Sequence, residues 1–211
     1  MPSTPRPAVL RTCAVLLVVL CSVSVASAVV GLAGHPLAYN DGNGPAAGAW
    51  TGSTPFVKGT LQGYVDWAVF GPGVFPYAGY TPTGGELTYA YQIYETGTAP
   101  LSSFAVALTD LGDNIGAFND LSGNLPASSS LVSMASATWQ FSGIPSGGNS
   151  QGLAFSSVRV PQTLFGVVID TGQSQYVVPL PSPSSTSIPE PGSILALGAS
   201  ALMLAGRRRS A

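Results

Sequence analysis

The residues best suited by type and spacing to covalent chemistry are Gly148-Asn149-Ser150-Gln151-Gly152. They match the G-x-S-x-G pattern, in which a strained strand-to-helix turn exposes a nucleophilic serine. That serine needs a base, and in the arrangement the pattern belongs to, the histidine follows it. Here the single histidine, His35, precedes Ser150, and Leu153 to Val160 reads as strand rather than helix. The expectation is therefore a glycine-rich hairpin loop. Histidine is the usual general base and metal ligand near neutral pH. With no second histidine and no cysteine between residues 29 and 187, a zinc site would be built mostly from carboxylates, against the usual ligand set. His35 is expected at the surface. Gly42-Asn43-Gly44-Pro45-Ala46-Ala47 has the outline of a dinucleotide-binding turn, but no strong strand precedes it and Pro45 interrupts it, which leaves a plain turn.

Oxygen ligands are more plentiful. Asp110-Leu111-Gly112-Asp113-Asn114, followed by Asn119-Asp120 and Asn124, is the best candidate for a bound ion. Calcium is the cation to consider, since it takes oxygen ligands from flexible loops and serves many extracellular modules. The spacing is not that of an EF-hand, and Asp and Asn also favour turns by bonding their own backbone. The expected set of required cofactors is accordingly none, with calcium kept as the alternative. A glycosidase would need two acids about 5 to 9.5 Å apart across a cleft, and the spacing of the acids suggests no such pair.

Both cysteines, Cys13 and Cys21, stand in the N-terminal stretch, so the central region has no disulfide and no thiol nucleophile. Between residues 29 and 187 the only bases are Lys58 and Arg159. The acids are Asp41, Asp66, Glu86, Glu95, Asp110, Asp113, Asp120 and Asp170, two charges against eight and a net −6. A basic footprint for phosphate contacts is missing, and nucleic acid is not an expected partner.

The elements that must position these groups are strands. In Thr60 to Phe70, Leu61, Val65, Trp67 and Val69 share one face with Gly63; in Glu86 to Glu95, Leu87, Tyr89, Tyr91 and Ile93 alternate with Thr88, Ala90 and Gln92. Further stripes are Phe104-Val106-Leu108; Leu131 with Ala135, Ala137, Trp139 and Phe141; Leu153-Phe155; Phe165-Val167-Ile169; and Tyr176-Val178-Leu180. Turn chemistry separates them, as at Gly71-Pro72-Gly73 and Pro82-Thr83-Gly84-Gly85. The predicted fold is all-β, an antiparallel Ig-like or jelly-roll-like sandwich over residues 29–178, followed by a stiff Pro/Ser-rich linker at 179–187. Trp50, Tyr64, Tyr77, Tyr80 and Tyr94 are the aromatics that would stack on sugar rings if exposed. Aromatics in strands also serve as core or cross-strand pairs.

The two ends carry a different message. Arg6 and Arg11 precede an uncharged run from Thr12 to Val25, and Ala26-Ser27-Ala28 supplies a small-x-small cleavage pattern. Residues 1–28 are thus predicted to be a signal peptide, with cleavage before Val29. Near the other end, Pro189-Glu190-Pro191 resists helix and sheet. An uncharged run from Ile194 to Ala205 follows, about 18 Å long as a helix and short of the ~30 Å hydrocarbon core. Arg207, Arg208 and Arg209 then act as a cytoplasmic stop under the positive-inside rule.

In this order, residues 188–211 resemble the PEP-CTERM sorting signal of exported proteins in Gram-negative bacteria. Tyr89 to Val106, with Trp139-Gln140-Phe141 and Leu153-Ala154-Phe155, is similar to Ig-like bacterial surface repeats. The first resemblance implies processing by signal peptidase and an exosortase-like transpeptidase, transient inner-membrane anchoring through the short helix, and delivery to the cell surface or extracellular matrix. The implied role is non-enzymatic and structural or adhesive, in an exopolysaccharide setting with exopolysaccharide as a candidate partner. A carbohydrate-binding module is the alternative reading, and a small secreted hydrolase the third.

Overall fold

Two-residue alternation of apolar and polar side chains, punctuated by Gly and Pro, folds as strand after strand in the computed structural model, which describes residues 30–110, 112–119 and 125–187. The strands are β1 (Asn40–Gly44), β2 (Gly48–Ala49), β3 (Thr51–Lys58), β4 (Leu61–Phe70), β5 (Leu87–Glu95) and β6 (Leu101–Ala107). They continue as β7 (Asp113–Phe118), β8 (Ser129–Val132), β9 (Ser136–Ile144), β10 (Gly152–Ser157), β11 (Arg159–Asp170) and β12 (Gln175–Ser187). β1 and β2 form a small hairpin. The others make two five-stranded antiparallel sheets, ordered β3-β4-β5-β10-β7 (sheet 1) and β12-β11-β6-β9-β8 (sheet 2). This is the expected all-β antiparallel architecture of two facing sheets. The predicted flanking helices lie outside the described residues, as do the cleavage residues Ala26 and Ala28, the motif Pro189-Glu190-Pro191 and the cluster Arg207, Arg208 and Arg209.

The main core lies between the sheets. Val65, Trp67 and Val69 of β4, Tyr89 and Tyr91 of β5 and Phe155 of β10 meet Phe104 of β6, Trp139 of β9 and Val178 and Leu180 of β12. Tyr89 and Phe155 stack with centroids 5.0 Å apart, and Phe104 and Trp139 stack at 5.8 Å. The buried tyrosines satisfy their polar ends on main chain: Tyr89 donates to the Arg159 carbonyl at 2.8 Å and Tyr91 to the Pro181 carbonyl at 2.6 Å.

Sheet 1 is buried on its inner face and over part of its outer face. Its outer side carries Ala68, Phe70, Ala90, Ala154 and Phe118, which pack against Leu32, Phe75, Tyr77 and Tyr80. The segment before β1 and the excursion between β4 and β5 thus clad this sheet with a second, aromatic cluster. That cladding explains why β5 is buried at almost every position instead of at alternate ones.

Three expectations are corrected. Residues 179–187 are not a linker but the second half of β12, paired with β11 as far as Arg159↔Ser187. Pro179, Pro181 and Pro183 fall on alternate residues of an edge strand, so their missing donors lie on the side away from β11. The acceptors left there are partly occupied: Thr54 donates to the Pro179 carbonyl at 3.0 Å, Tyr91 to that of Pro181, and Thr109 to that of Pro183 at 2.7 Å. Second, the stripe Leu131 to Phe141 is two strands, β8 and β9, because the chain reverses through Ser133–Ala135, where the Ser133 amide and hydroxyl bond the Ser136 carbonyl. Leu131 consequently points to solvent.

Third, β11 is turned over relative to its predicted stripe. Val168 faces the core, whereas Phe165 is 50% exposed, and Val167 and Ile169 share its side. Gly166 explains the choice. A Cβ there would stand 2.6 Å from Leu180 Cδ1 and 2.9 Å from the Ala105 carbonyl, so the inner position admits no side chain.

Candidate functional site

Ser150 sits between β9 and β10 with no exposed surface. Strand β10 follows it rather than a helix, and its hydroxyl accepts the Ile93 amide at 3.0 Å while its own amide donates to the Ile93 carbonyl at 2.9 Å. The side chain stands in for a missing ladder partner at the end of β5. The G-x-S-x-G stretch is thus a loop, as expected, but not a hairpin: it carries the chain from β9 in sheet 2 to β10 in sheet 1, two strands that do not pair.

His35 is a correction, since it is buried, at 6% exposure, instead of lying on the surface. Its ring packs edge-on against Phe70 at 5.0 Å and Tyr77 at 5.7 Å, and Nδ1 accepts the Leu37 amide at 3.2 Å. Burial lowers its pKa and keeps the imidazole neutral. Thr51 secures the same segment, its hydroxyl donating to the Leu32 carbonyl and accepting the Gly34 amide.

The oxygen-rich stretch is dispersed rather than gathered. Asp110 forms an ion pair with Arg159. Asp113 and Asn114 belong to β7, a strand the turn-like composition concealed; Asn114 adopts φ 46° and donates to the Thr81 carbonyl at 2.6 Å. Asn119 accepts from Gln151. Leu111, Asp120 and Asn124 lie outside the described residues.

Asp113 has instead a carboxyl partner from another element. Glu86, just before β5, shares a side-chain hydrogen bond with it and is pushed up to about 7 by burial first and then by the Asp113 charge. Glu86 Oε2 is buried with no hydrogen-bond partner among the described residues. Thr83 donates to Asp113 at 3.1 Å, and Tyr80 bonds both the Asn114 carbonyl and Ser156. These contacts clasp the Thr81–Glu86 loop to β7 and β10. A carboxyl pair in hydrogen-bond contact is too close for the spacing glycoside hydrolysis requires.

The aromatic set divides. Trp50 and Tyr77 are buried, at 3% and 7%, and belong to the cores. Tyr80 is the loop clasp just described. Tyr64 and Tyr94 remain half-buried on the outer face of sheet 1, directly opposed across β4 and β5 and stacked at 4.5 Å with 12° between planes. Tyr94 donates to Gln92 Oε1 at 2.6 Å, and Gln92 Nε2 donates to the Ser150 carbonyl at 2.9 Å, so the pair is held in one orientation. Asp66 stands one row along, opposite Gln92; burial raises its pKa, offset in part by a hydrogen bond from Ser53. A rigid π-stack beside a carboxyl group here brings two of the predicted aromatics and a polar anchor together on partly open surface.

Sequence reasoning missed Glu95. It is 1% exposed; Oε1 accepts the Gly97 amide at 2.8 Å, and Oε2 has no hydrogen-bond partner among the described residues. Burial raises its pKa against those backbone bonds. The only signal was position, an acid ending an apolar strand before Thr96-Gly97. Among the described residues no helix is long and apolar enough to cross a membrane, and no cluster of three His, Cys, Asp or Glu side chains could hold a metal. Compared with protein-family models, with curated proteins and with solved structures, the chain matches none.

Proposed function

We propose that this chain is an exported, non-enzymatic protein with an Ig-like ectodomain, sorted by a C-terminal PEP-CTERM-type signal to the cell surface or extracellular matrix of a Gram-negative bacterium. Its role there is structural or adhesive. The observation that carries the reading is the order of the tail, Pro189-Glu190-Pro191, an uncharged run, then Arg207-Arg208-Arg209, paired with the N-terminal Arg6 and Arg11, apolar run and Ala26-Ser27-Ala28. The sandwich supports it from the other side. Ser150, the nucleophile candidate, is consumed by the Ile93 amide, and β12 runs to Ser187, one residue before the signal. Signal peptidase and an exosortase-like transpeptidase are the processing partners, and the membrane is a transient one.

Replacing Pro189, Glu190 and Pro191 together with alanine tests the reading in the native host. Retention of full-length chain in the inner membrane, with wild type at the surface, is the expected result; identical distribution of the two would refute it.

Tyr64 and Tyr94 favour one second reading, a carbohydrate-binding module. Under it, Tyr64→Ala lowers retention of the protein on the host's exopolysaccharide while leaving the fold intact.

A further inference from the structure

The outer face of sheet 2 differs from that of sheet 1. Sheet 1 is clad by the aromatic cluster, while no described segment covers sheet 2. Val177, Val167, Ala105, Thr138 and Leu131 form one unbroken cross-strand row over all five strands. Leu131 is 70% exposed, Val177 59% and Phe165 50%. No Asp, Glu, Lys or Arg occurs in β6, β8 or β9, in Thr163–Ile169 of β11 or in Gln175–Pro181 of β12. The heavier apolar stripe of β11 faces outward, which burial in the fold does not reward and which marks an interaction surface.

We infer that this face docks on a second copy of the same chain, the two sheets meeting face to face about a two-fold axis along β6. Three observations select that occupant. The region 29–187 carries a net −6, so two copies repel unless they meet where no charge stands, and this face has none. The relief is self-complementary. β6, the central strand, presents Ala105 and Ala107, both partly exposed and small enough for close approach on the axis. A two-fold axis along β6 lays Phe165 and Val167 of one copy over Ser136 and Thr138 of the other, bulky side chains on small ones, with Ile169 over Gln140. Finally, about 16 outward positions, with β8 contributing only two because it spans Ser129–Val132, at ~4.8 by ~6.8 Å each give roughly 500 Å² per copy. That is below the ~800 Å² per partner of a standard stable interface, which fits a reversible dimer. Edge-to-edge association is disfavoured at β12, where prolines remove the free donors. The inference stands on this face alone and does not depend on the sorting signal.

Sedimentation velocity of the protein as purified from its host, from low micromolar to several hundred micromolar, tests it. The expected result is a concentration-dependent monomer–dimer equilibrium. Val167→Lys and Thr138→Lys each weaken it at least about tenfold, because an unpaired ammonium would be buried. Val57→Lys, at an exposed position on β3 of the other sheet, leaves it unchanged. Circular dichroism verifies that each variant is folded. As a second readout, Ala105→Cys in a chain with Cys13 and Cys21 changed to serine is joined into a dimer by a short bis-maleimide cross-linker that spans two facing sheets, and Val57→Cys in the same background is not. A monomer at every concentration, including one whose face is covered by its own terminal segment or binds only polysaccharide, overturns the inference. So does a dimer that both lysine variants leave intact.

Discussion

Replacing Glu86 with glutamine isolates a single proton in the clasp between the Thr81–Glu86 loop and β7. In the folded protein the Glu86 pKa is raised from 4.5 to about 7 by burial and by Asp113. Between those values the native state holds a proton that the unfolded chain has lost, so unfolding releases it and stability declines as pH rises. The contribution is fully present below about pH 4.5 and is lost as pH rises through about 7. Two and a half pK units at ~1.36 kcal/mol set an upper bound of roughly 3 kcal/mol; the group is partly solvated, and screening reduces this to about 1–2 kcal/mol. Glutamine keeps a donor toward Asp113 at every pH and removes the titration. Urea unfolding of both proteins from pH 4.5 to 8 reads the difference. The variant is expected to match wild type within about 0.5 kcal/mol at the acid end and to exceed it by about 1–2 kcal/mol at pH 8. Glu95 and Asp66, which burial also shifts upward, titrate in both proteins and cancel. A wild-type-minus-variant difference that stays constant with pH would refute the shared-proton reasoning.

Phe155→Ala, which removes a ring stacked on Tyr89 at 5.0 Å in the main core, should cost about 3–5 kcal/mol in chemical denaturation. Gly166→Ala should cost about 1–3 kcal/mol, because its Cβ meets Leu180 and the Ala105 carbonyl, and Leu180→Ala in the same chain should recover part of that loss. Ser150→Ala should destabilise by about 1–3 kcal/mol, since it leaves the buried Ile93 amide without an acceptor. An esterase assay on that variant should show no loss relative to wild type, and a loss would restore the nucleophile reading.

Legibility followed how directly a residue's neighbours in sequence determine its surroundings. β4, β5 and β10 were readable because their large apolar residues alternate and that stripe does face the core. β11 defied the same rule: Phe165, Val167 and Ile169 outweigh Gly166 and Val168 as a stripe, yet Leu180 and the Ala105 main chain fill the space beneath Gly166. β12 was hidden by prolines that disrupt a central strand but suit an edge. The aromatic cladding of sheet 1 carried no periodic signal, since Leu32, Phe75, Tyr77 and Tyr80 come from irregular segments. His35 was misplaced for that reason. At the candidate sites, the loop role of Ser150 followed from the strand after it, whereas the Glu86–Asp113 contact joins residues far apart in sequence through loop packing. Tyr64 and Tyr94 were readable as strand aromatics, but their mutual stacking depended on the β4–β5 register.

The central claim is that both ends of the chain are processing signals around a sandwich that functions outside the inner membrane. Intact-mass measurement of the protein recovered from envelope and medium of its own host tests this most directly. The account predicts a species that begins at Val29 and ends near Pro189-Glu190-Pro191, alone or with an added group. A species with its C-terminus intact through Ala211, retained in the inner membrane, would contradict it.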